Sequence, residues 1–105
     1  MRQKVKILLI DDDEFEAESM KIVLQDHFEI DYVQNYREAI KRLEKIKYSA
    51  IISDINLEDG DGLQILETAY KNNPDTIRVA YSGIKKEEAF SKVSSKDIIE
   101  YYLNK

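Results

Sequence analysis

The sequence predicts an α/β domain built on a five-stranded, doubly wound parallel sheet, and three observations carry that expectation. Short apolar runs such as VKILLI at 5–10 and IRVAY at 77–81 read as strands buried on both faces. Between such runs lie stretches whose apolar residues recur at three- and four-residue spacing, the signature of amphipathic helices. Strict alternation of the two implies right-handed crossovers with helices on both faces of one sheet.

The elements follow in order. Val5 to Ile10 is the first strand, closed by Asp11, Asp12 and Asp13. A helix over 14–27 is expected from the spacing of Met20, Val23, Leu24 and Phe28, with His27 as a cation near its end. Ile30 to Val33 reads as the second strand. Asn35 is an N-cap for a helix over 36–46, with Ala39, Ile40, Leu43 and Ile46 on its apolar face. Ala50, Ile51 and Ile52 centre a third strand that ends at Ser53 and Asp54. The loop INLEDGDG, with two glycines, is a turn signal. A third helix over 62–71 aligns Leu63, Leu66 and Tyr70 and is stopped by Asn72, Asn73 and Pro74. The fourth strand, 77–81, runs into Ser82 and Gly83. A weaker helix over 85–94 carries Ala89, Phe90 and Val93, and 101–103 is the fifth strand.

Composition removes several classes of function. The 105 residues make one domain and include no cysteine, which excludes disulfide scaffolds, thiolate zinc sites and thiol catalysis. A net charge of −5, from 16 basic and 21 acidic residues, argues against direct nucleic-acid binding by bulk charge. No apolar run approaches the roughly 20 residues that span a bilayer. The basic start followed by Ile7 to Ile10 is too short for a signal-peptide core. A cytoplasmic protein with no membrane partner is expected.

The chemistry-bearing residues follow the strands. Asp11 to Asp13 close the first strand, Asp54 the third, Ser82 the fourth and Lys105 the fifth. In a parallel sheet those ends share one edge, where ligands bind in such folds. Crowded carboxylates protonate or bind a cation, and an oxygen-only set favours a hard ion, Mg²⁺ before zinc or copper. An acidic set with a hydroxyl and an ammonium suits a phosphoryl group, and without a Gly-rich phosphate cradle it suggests a carboxylate that itself takes the phosphoryl. Each signal also has an ordinary structural reading. Asp11 to Asp13 are good N-cap and first-turn acids, Asp54 a turn residue, Ser82–Gly83 a loop pair and Lys105 a solvated tail. A calcium loop starting at Asp54 fails, because its sixth position is Asp59 and its twelfth Ile65.

The segments ILLIDDD, IISDINLEDGDGL, RVAYSG and YYLNK, with NYREAIKRL between them, resemble the receiver domain of two-component response regulators. The resemblance covers nearly the whole chain, in order. It implies a flavodoxin-like sheet of order 2-1-3-4-5 and a receiver domain over 1–105. It also implies a role for each matching residue. Asp54 is the phosphoacceptor, Asp12 a direct Mg²⁺ ligand and Asp11 an acid holding the ion through water. Asn56 offers its backbone carbonyl to the ion. Ser82 and Lys105 bond the phosphoryl oxygens, Gly83 leaves room for the donor, and Tyr102 is the aromatic switch partner of Ser82. Asp13 sits at the rim.

The sequence departs from the family pattern in two places. Glu58 stands where a proline is usual, which is expected to loosen the loop after Asp54. The family continues past the position of Lys105 with a proline and a fifth helix, so the domain is expected to be truncated before that helix. Apolar surface is then left bare beside the first and last strands, and self-association as a homodimer is one expected outcome. The implied function is a switch rather than a turnover enzyme. A sensor histidine kinase or phosphotransfer protein phosphorylates Asp54, and the change is read by a downstream output domain or protein. Two other readings stand beside it: a pseudo-receiver acting as a phosphorylation-independent interaction module, and a Mg²⁺-dependent phosphohydrolase, against which Asn56 stands two residues after Asp54 where such enzymes carry an acid.

Overall fold

The computed structural model describes residues 5–93 and 95–105. The basic residues at the very start of the chain and Ser94, the expected end of the fourth helix, lie outside them.

The chain runs β1 (Val5–Ile10), α1 (Glu14–Leu24), β2 (Phe28–Val33), α2 (Tyr36–Lys45), β3 (Ala50–Asp54), β4 (Asn56–Leu57), β5 (Gly60–Asp61), α3 (Gly62–Asn72), β6 (Ile77–Ser82), α4 (Lys86–Ser91), a 3₁₀ turn (Lys96–Ile98) and β7 (Tyr101–Asn104). The main sheet has five strands in the order β2-β1-β3-β6-β7, every pairing parallel. Counting only these long strands, that is the expected 2-1-3-4-5.

Alternation along each strand sends side chains to opposite faces, and both faces are covered. Ile7, Leu9, Ile52 and Tyr81 pack under α1 through Ala17, Met20 and Leu24. Leu8, Ile10, Ile51 and Ala80 pack under α2, α3 and α4 through residues such as Ala39, Leu63, Leu66 and Ala89. Each fully buried Leu or Ile contributes on the order of 2 kcal/mol relative to exposure.

Helix starts follow their caps. Asp13 accepts from the N–H groups of Phe15 and Glu16, Asn35 from that of Glu38, and Asp61 from that of Leu63. Gly62 opens α3 because nothing larger fits: a Cβ there would lie 1.9 Å from the Asp54 carbonyl oxygen.

Several expectations need correction. The helix expected over 14–27 ends at Leu24, and Phe28 opens β2 instead of extending the helix. His27 lies in the turn beyond the helix. Val23, expected in the core, is 71% exposed, and Phe15 and Ile22 also face solvent. The helix has one well-buried position, Ala17, and among the described residues it is the helix that packs on this face of the sheet. The loop INLEDGDG is not a plain turn: Asn56–Leu57 pairs with Gly60–Asp61 as a short antiparallel hairpin. The fourth helix is only Lys86–Ser91, and the following 3₁₀ turn had no sequence signal. The exposed large apolar side chains among the described residues are Phe15, Ile22 and Val23 on α1, Val5 on β1, Ile77 on β6, and Tyr101 and Leu103 on β7.

Candidate functional site

The parallel register brings the polar strand ends level with one another. Ile10 pairs with Ser53, Asp54 with Tyr81, and Ser82 with Asn104, so Asp11, Asp54, Ser82 and Lys105 emerge along one edge. Three carboxylates meet there: one oxygen each of Asp11, Asp12 and Asp54 lies within 4.8 Å of the others. Asp11 and Asp54 are buried and Asp12 is exposed.

Asp54 is held from both sides. Its Oδ1 accepts from the Asn56 N–H at 3.1 Å and its Oδ2 from the Lys105 ammonium at 2.8 Å. Lys105 is placed by its own backbone, whose N–H donates to the Ser82 carbonyl at 2.9 Å. Its ammonium also contacts Glu16 Oε2 at 2.6 Å and lies 4.9 Å from the Tyr81 ring centre. Burial alone would lower the Lys105 pKa; the hydrogen bond to Asp54 and the close Glu16 carboxylate outweigh it and hold the pKa above its ordinary value.

Asp11 is oriented as closely. Its Oδ1 accepts from the Asp13 N–H at 2.9 Å, its Oδ2 from the Tyr81 hydroxyl, and its carbonyl from the Tyr32 hydroxyl at 2.7 Å. Burial pushes the Asp11 carboxyl up, against the lowering effect of the Tyr81 hydrogen bond. A carboxyl raised by burial among other acids, with only oxygen donors around it, is suited to a hard divalent cation, so the residues present fit Mg²⁺.

Ser82 is buried, and its Oγ accepts from the Ile84 N–H at 3.3 Å. The half-buried Tyr102 donates its hydroxyl to the Ile84 carbonyl. Burial raises the Tyr102 phenol above its ordinary value, with the Ser82 hydroxyl opposing that. Gly83 is exposed, and a Cβ added there would meet nothing within 4 Å.

Asp11, Asp12, Asp54 and Lys105 therefore converge, with the Asn56 backbone on Asp54. Ser82 and Tyr102 are both tied to the Ile84 backbone, and Gly83 is exposed. Asp13 is the N-cap of α1, its ordinary structural reading, and sits at the rim. Sequence reasoning missed Glu16 and Tyr81. Glu16 looked like one more first-turn acid. Tyr81 looked like a core residue of a strand, and its place one residue before Ser82 was the only available signal.

At its carboxyl edge the doubly wound sheet thus carries an acidic pocket capped by a lysine. The chain belongs to the response regulator receiver domain family, whose model matches residues 7–105. It is 32% identical over 82 residues to the hydrogenase transcriptional regulatory protein HoxA of Bradyrhizobium diazoefficiens; the match takes in 78% of this chain but only 17% of that protein. Among solved structures it is similar to a two-component response regulator from Clostridium difficile, with a TM-score of 0.85, 27% identity, and coverage of 97% of this chain and 84% of that one. It is also similar to a response regulator from Burkholderia pseudomallei, with a phosphorylated aspartic acid, a calcium ion and citrate. There the TM-score is 0.84, the identity 25%, and the coverage 98% of this chain and 60% of that one. Receiver domains are signalling switches working between kinases and output domains. No helix among the described residues is long and apolar enough to cross a membrane.

Proposed function

We propose that Asp54 is the phosphoacceptor of a Mg²⁺-dependent switch, phosphorylated by a sensor histidine kinase or phosphotransfer protein. The observation that carries this reading is the Lys105 ammonium 2.8 Å from Asp54 Oδ2, beside the Asp11–Asp12–Asp54 carboxylates. The phosphorylated aspartic acid of the Burkholderia pseudomallei relative supports it.

A carboxylate oxygen of Asp54 attacks the phosphorus of a phosphohistidine. The new O–P bond forms as the P–N bond breaks, and the departing imidazole nitrogen keeps the electron pair. Asp11, Asp12 and Asp54, with the Asn56 backbone carbonyl, would hold Mg²⁺, which when bound neutralises charge on the phosphoryl oxygens. Lys105 and the Ser82 hydroxyl bond those oxygens, and Gly83 leaves the approach open. Drawing Ser82 toward the phosphoryl group disturbs its contact with Tyr102. The face formed by α4 and β7 then shifts between two states and is read by an output domain or partner protein. Slow hydrolysis resets the switch in the cytoplasm, and the domain turns over no other substrate.

Intact-mass spectrometry after incubation with acetyl phosphate and Mg²⁺ tests this, with Asp54→Asn alongside. Gain of one phosphoryl group by the parent alone is expected. No gain by the parent overturns the reading in favour of a phosphorylation-independent module.

A further inference from the structure

Lys105 is the side chain on which the proposed chemistry turns, and it is not free to act. One side of its ammonium faces Asp54 Oδ2 at 2.8 Å and another faces Glu16 Oε2 at 2.6 Å, the shorter contact. The Tyr81 ring closes a third side at 4.9 Å. Asp54 takes one of the three donors of the ammonium, and Glu16 sits against its charge at ion-pair distance without completing a hydrogen bond, so a newly arrived phosphoryl oxygen meets Glu16 as an anionic rival for that charge. Phosphorylation removes the carboxylate charge by which Asp54 attracts the ammonium, whereas Glu16 keeps its charge. The Tyr81 ring offers only a weak cation–π contact. That leaves Glu16 as the competitor.

Glu16 is built to compete. It sits in the first turn of α1, whose start is held by the Asp13 cap, and Asp13 accepts from the Glu16 N–H itself. Its side chain is 40% exposed, yet Oε2 is shut off from solvent beneath Lys105. A carboxylate oxygen deprived of water and facing one ammonium holds it more firmly than an exposed pair would.

We propose that Glu16 is a positioning residue that restrains Lys105 against α1 and so sets a brake on phosphorylation of Asp54. This rests on Asp54 being the phosphoacceptor. The brake releases when a phosphoryl oxygen outbids Glu16 for the ammonium, so the residue governs how fast the modified state is reached rather than whether it exists. Because α1 carries Glu16, any partner that leans on the first turn of α1 would also alter the rate.

The test measures phosphorylation rates by intact mass for the parent, Glu16→Gln and Glu16→Asp, with Mg²⁺ and two donors of different charge, acetyl phosphate and phosphoramidate. Gln is isosteric and lies on the exposed side of a capped helix, so folding is preserved. Glu16→Gln is expected to be about fivefold faster with both donors, the scale of one partly exposed ion pair. Glu16→Asp, one methylene shorter, is expected to be faster than the parent as well. Acceleration confined to the more anionic acetyl phosphate, or Glu16→Asp matching the parent, would assign the effect to repulsion of the donor and overturn the positioning role. Rates unchanged or lowered in Glu16→Gln overturn it outright while Asp54 stands as acceptor. No phosphoryl gain in any of the three removes the phosphoacceptor reading and this inference together.

Discussion

The two edges of the sheet each hold a cation, and the two cations are used in opposite ways. At the amino edge Arg78, on β6, is 3% exposed. Its Nε donates to the Ile98 carbonyl at 3.1 Å, Nη1 to the carbonyls of Pro74 and Thr76, and Nη2 to the Asp97 carbonyl at 2.8 Å and Glu100 at 2.9 Å. Tyr70 lies beneath it at 4.6 Å. At the carboxyl edge the Lys105 side chain is 25% exposed, and its charged partners among the described residues are two carboxylates. A guanidinium with a rigid fork of donors, each answered by a fixed carbonyl, has one arrangement. An ammonium shared between two carboxylates has several of similar energy. The first kind of site holds a fold together; the second can be reassigned when a new anion arrives.

Replacing each cation by Met sharpens that contrast. Arg78→Met leaves the carbonyls of Pro74, Thr76, Asp97 and Ile98 without the donors that the buried guanidinium supplies. Urea unfolding is expected to show a loss of about 3 to 5 kcal/mol. The folded fraction should still take up phosphoryl at the parent's rate, since Arg78 lies at the edge away from Asp54. A loss under about 1 kcal/mol would mean that the network is ornamental.

Lys105→Met should do the reverse. Its stability is expected to stay within about 1 kcal/mol of the parent, because a partly exposed ammonium offsets most of its Coulomb gain with desolvation. Its phosphorylation rate with acetyl phosphate should fall about 100-fold, the usual cost of removing one donor from a developing anion. Equal losses of stability and rate would erase the distinction between the two edges.

What the sequence showed of these edges differs for a physical reason. Continuous apolar strands such as Val5–Ile10 and the polar residues at their ends were legible, because parallel pairing converts position along a strand directly into position at an edge. Hence Asp11, Asp54, Ser82 and Lys105 could be gathered from spacing and resemblance. Arg78 could not, because its partners come from the turns before β6 and before β7, and only the assembled fold brings them to it. Tyr81 and Glu16 were hidden in the same way: each looks ordinary in its own element, and its partner lies on another. The exposure of Val23 was not legible because helical spacing reveals a face without saying whether the sheet beneath is wide enough to cover it.

A smaller effect separates caps from site. Asn35 accepts the Glu38 N–H at 2.9 Å and begins α2. Asn35→Ala is expected to cost about 1 kcal/mol in urea unfolding and to leave the phosphorylation rate within twofold of the parent, since the cap touches none of the site carboxylates.

The smallest expected effect probes how the loop after Asp54 is held. Glu58, in place of a proline, was expected to loosen that loop. The structure restrains it by the hairpin and by Asp59, whose carboxylate accepts the N–H groups of Tyr36 at 2.8 Å and Arg37 at 3.2 Å at the start of α2. The Tyr36 hydrogen bond is the main cause that lowers the Asp59 pKa from its ordinary 3.8, with that of Arg37 adding to it. An acid with a depressed pKa in the folded state contributes stability in full above its unfolded value, and loses it as the pH falls below that value toward the folded one. The stability difference between the parent and Asp59→Asn should therefore be constant near neutral pH and shrink below pH 3.8. Curves that stay parallel into acid would show that the Asp59 charge does not hold the loop, leaving the hairpin as its restraint. Convergence would mean that the Asn56 N–H is delivered to Asp54 by a tether from another helix, so the carboxyl edge has one rigid wall opposite the Lys105 ammonium.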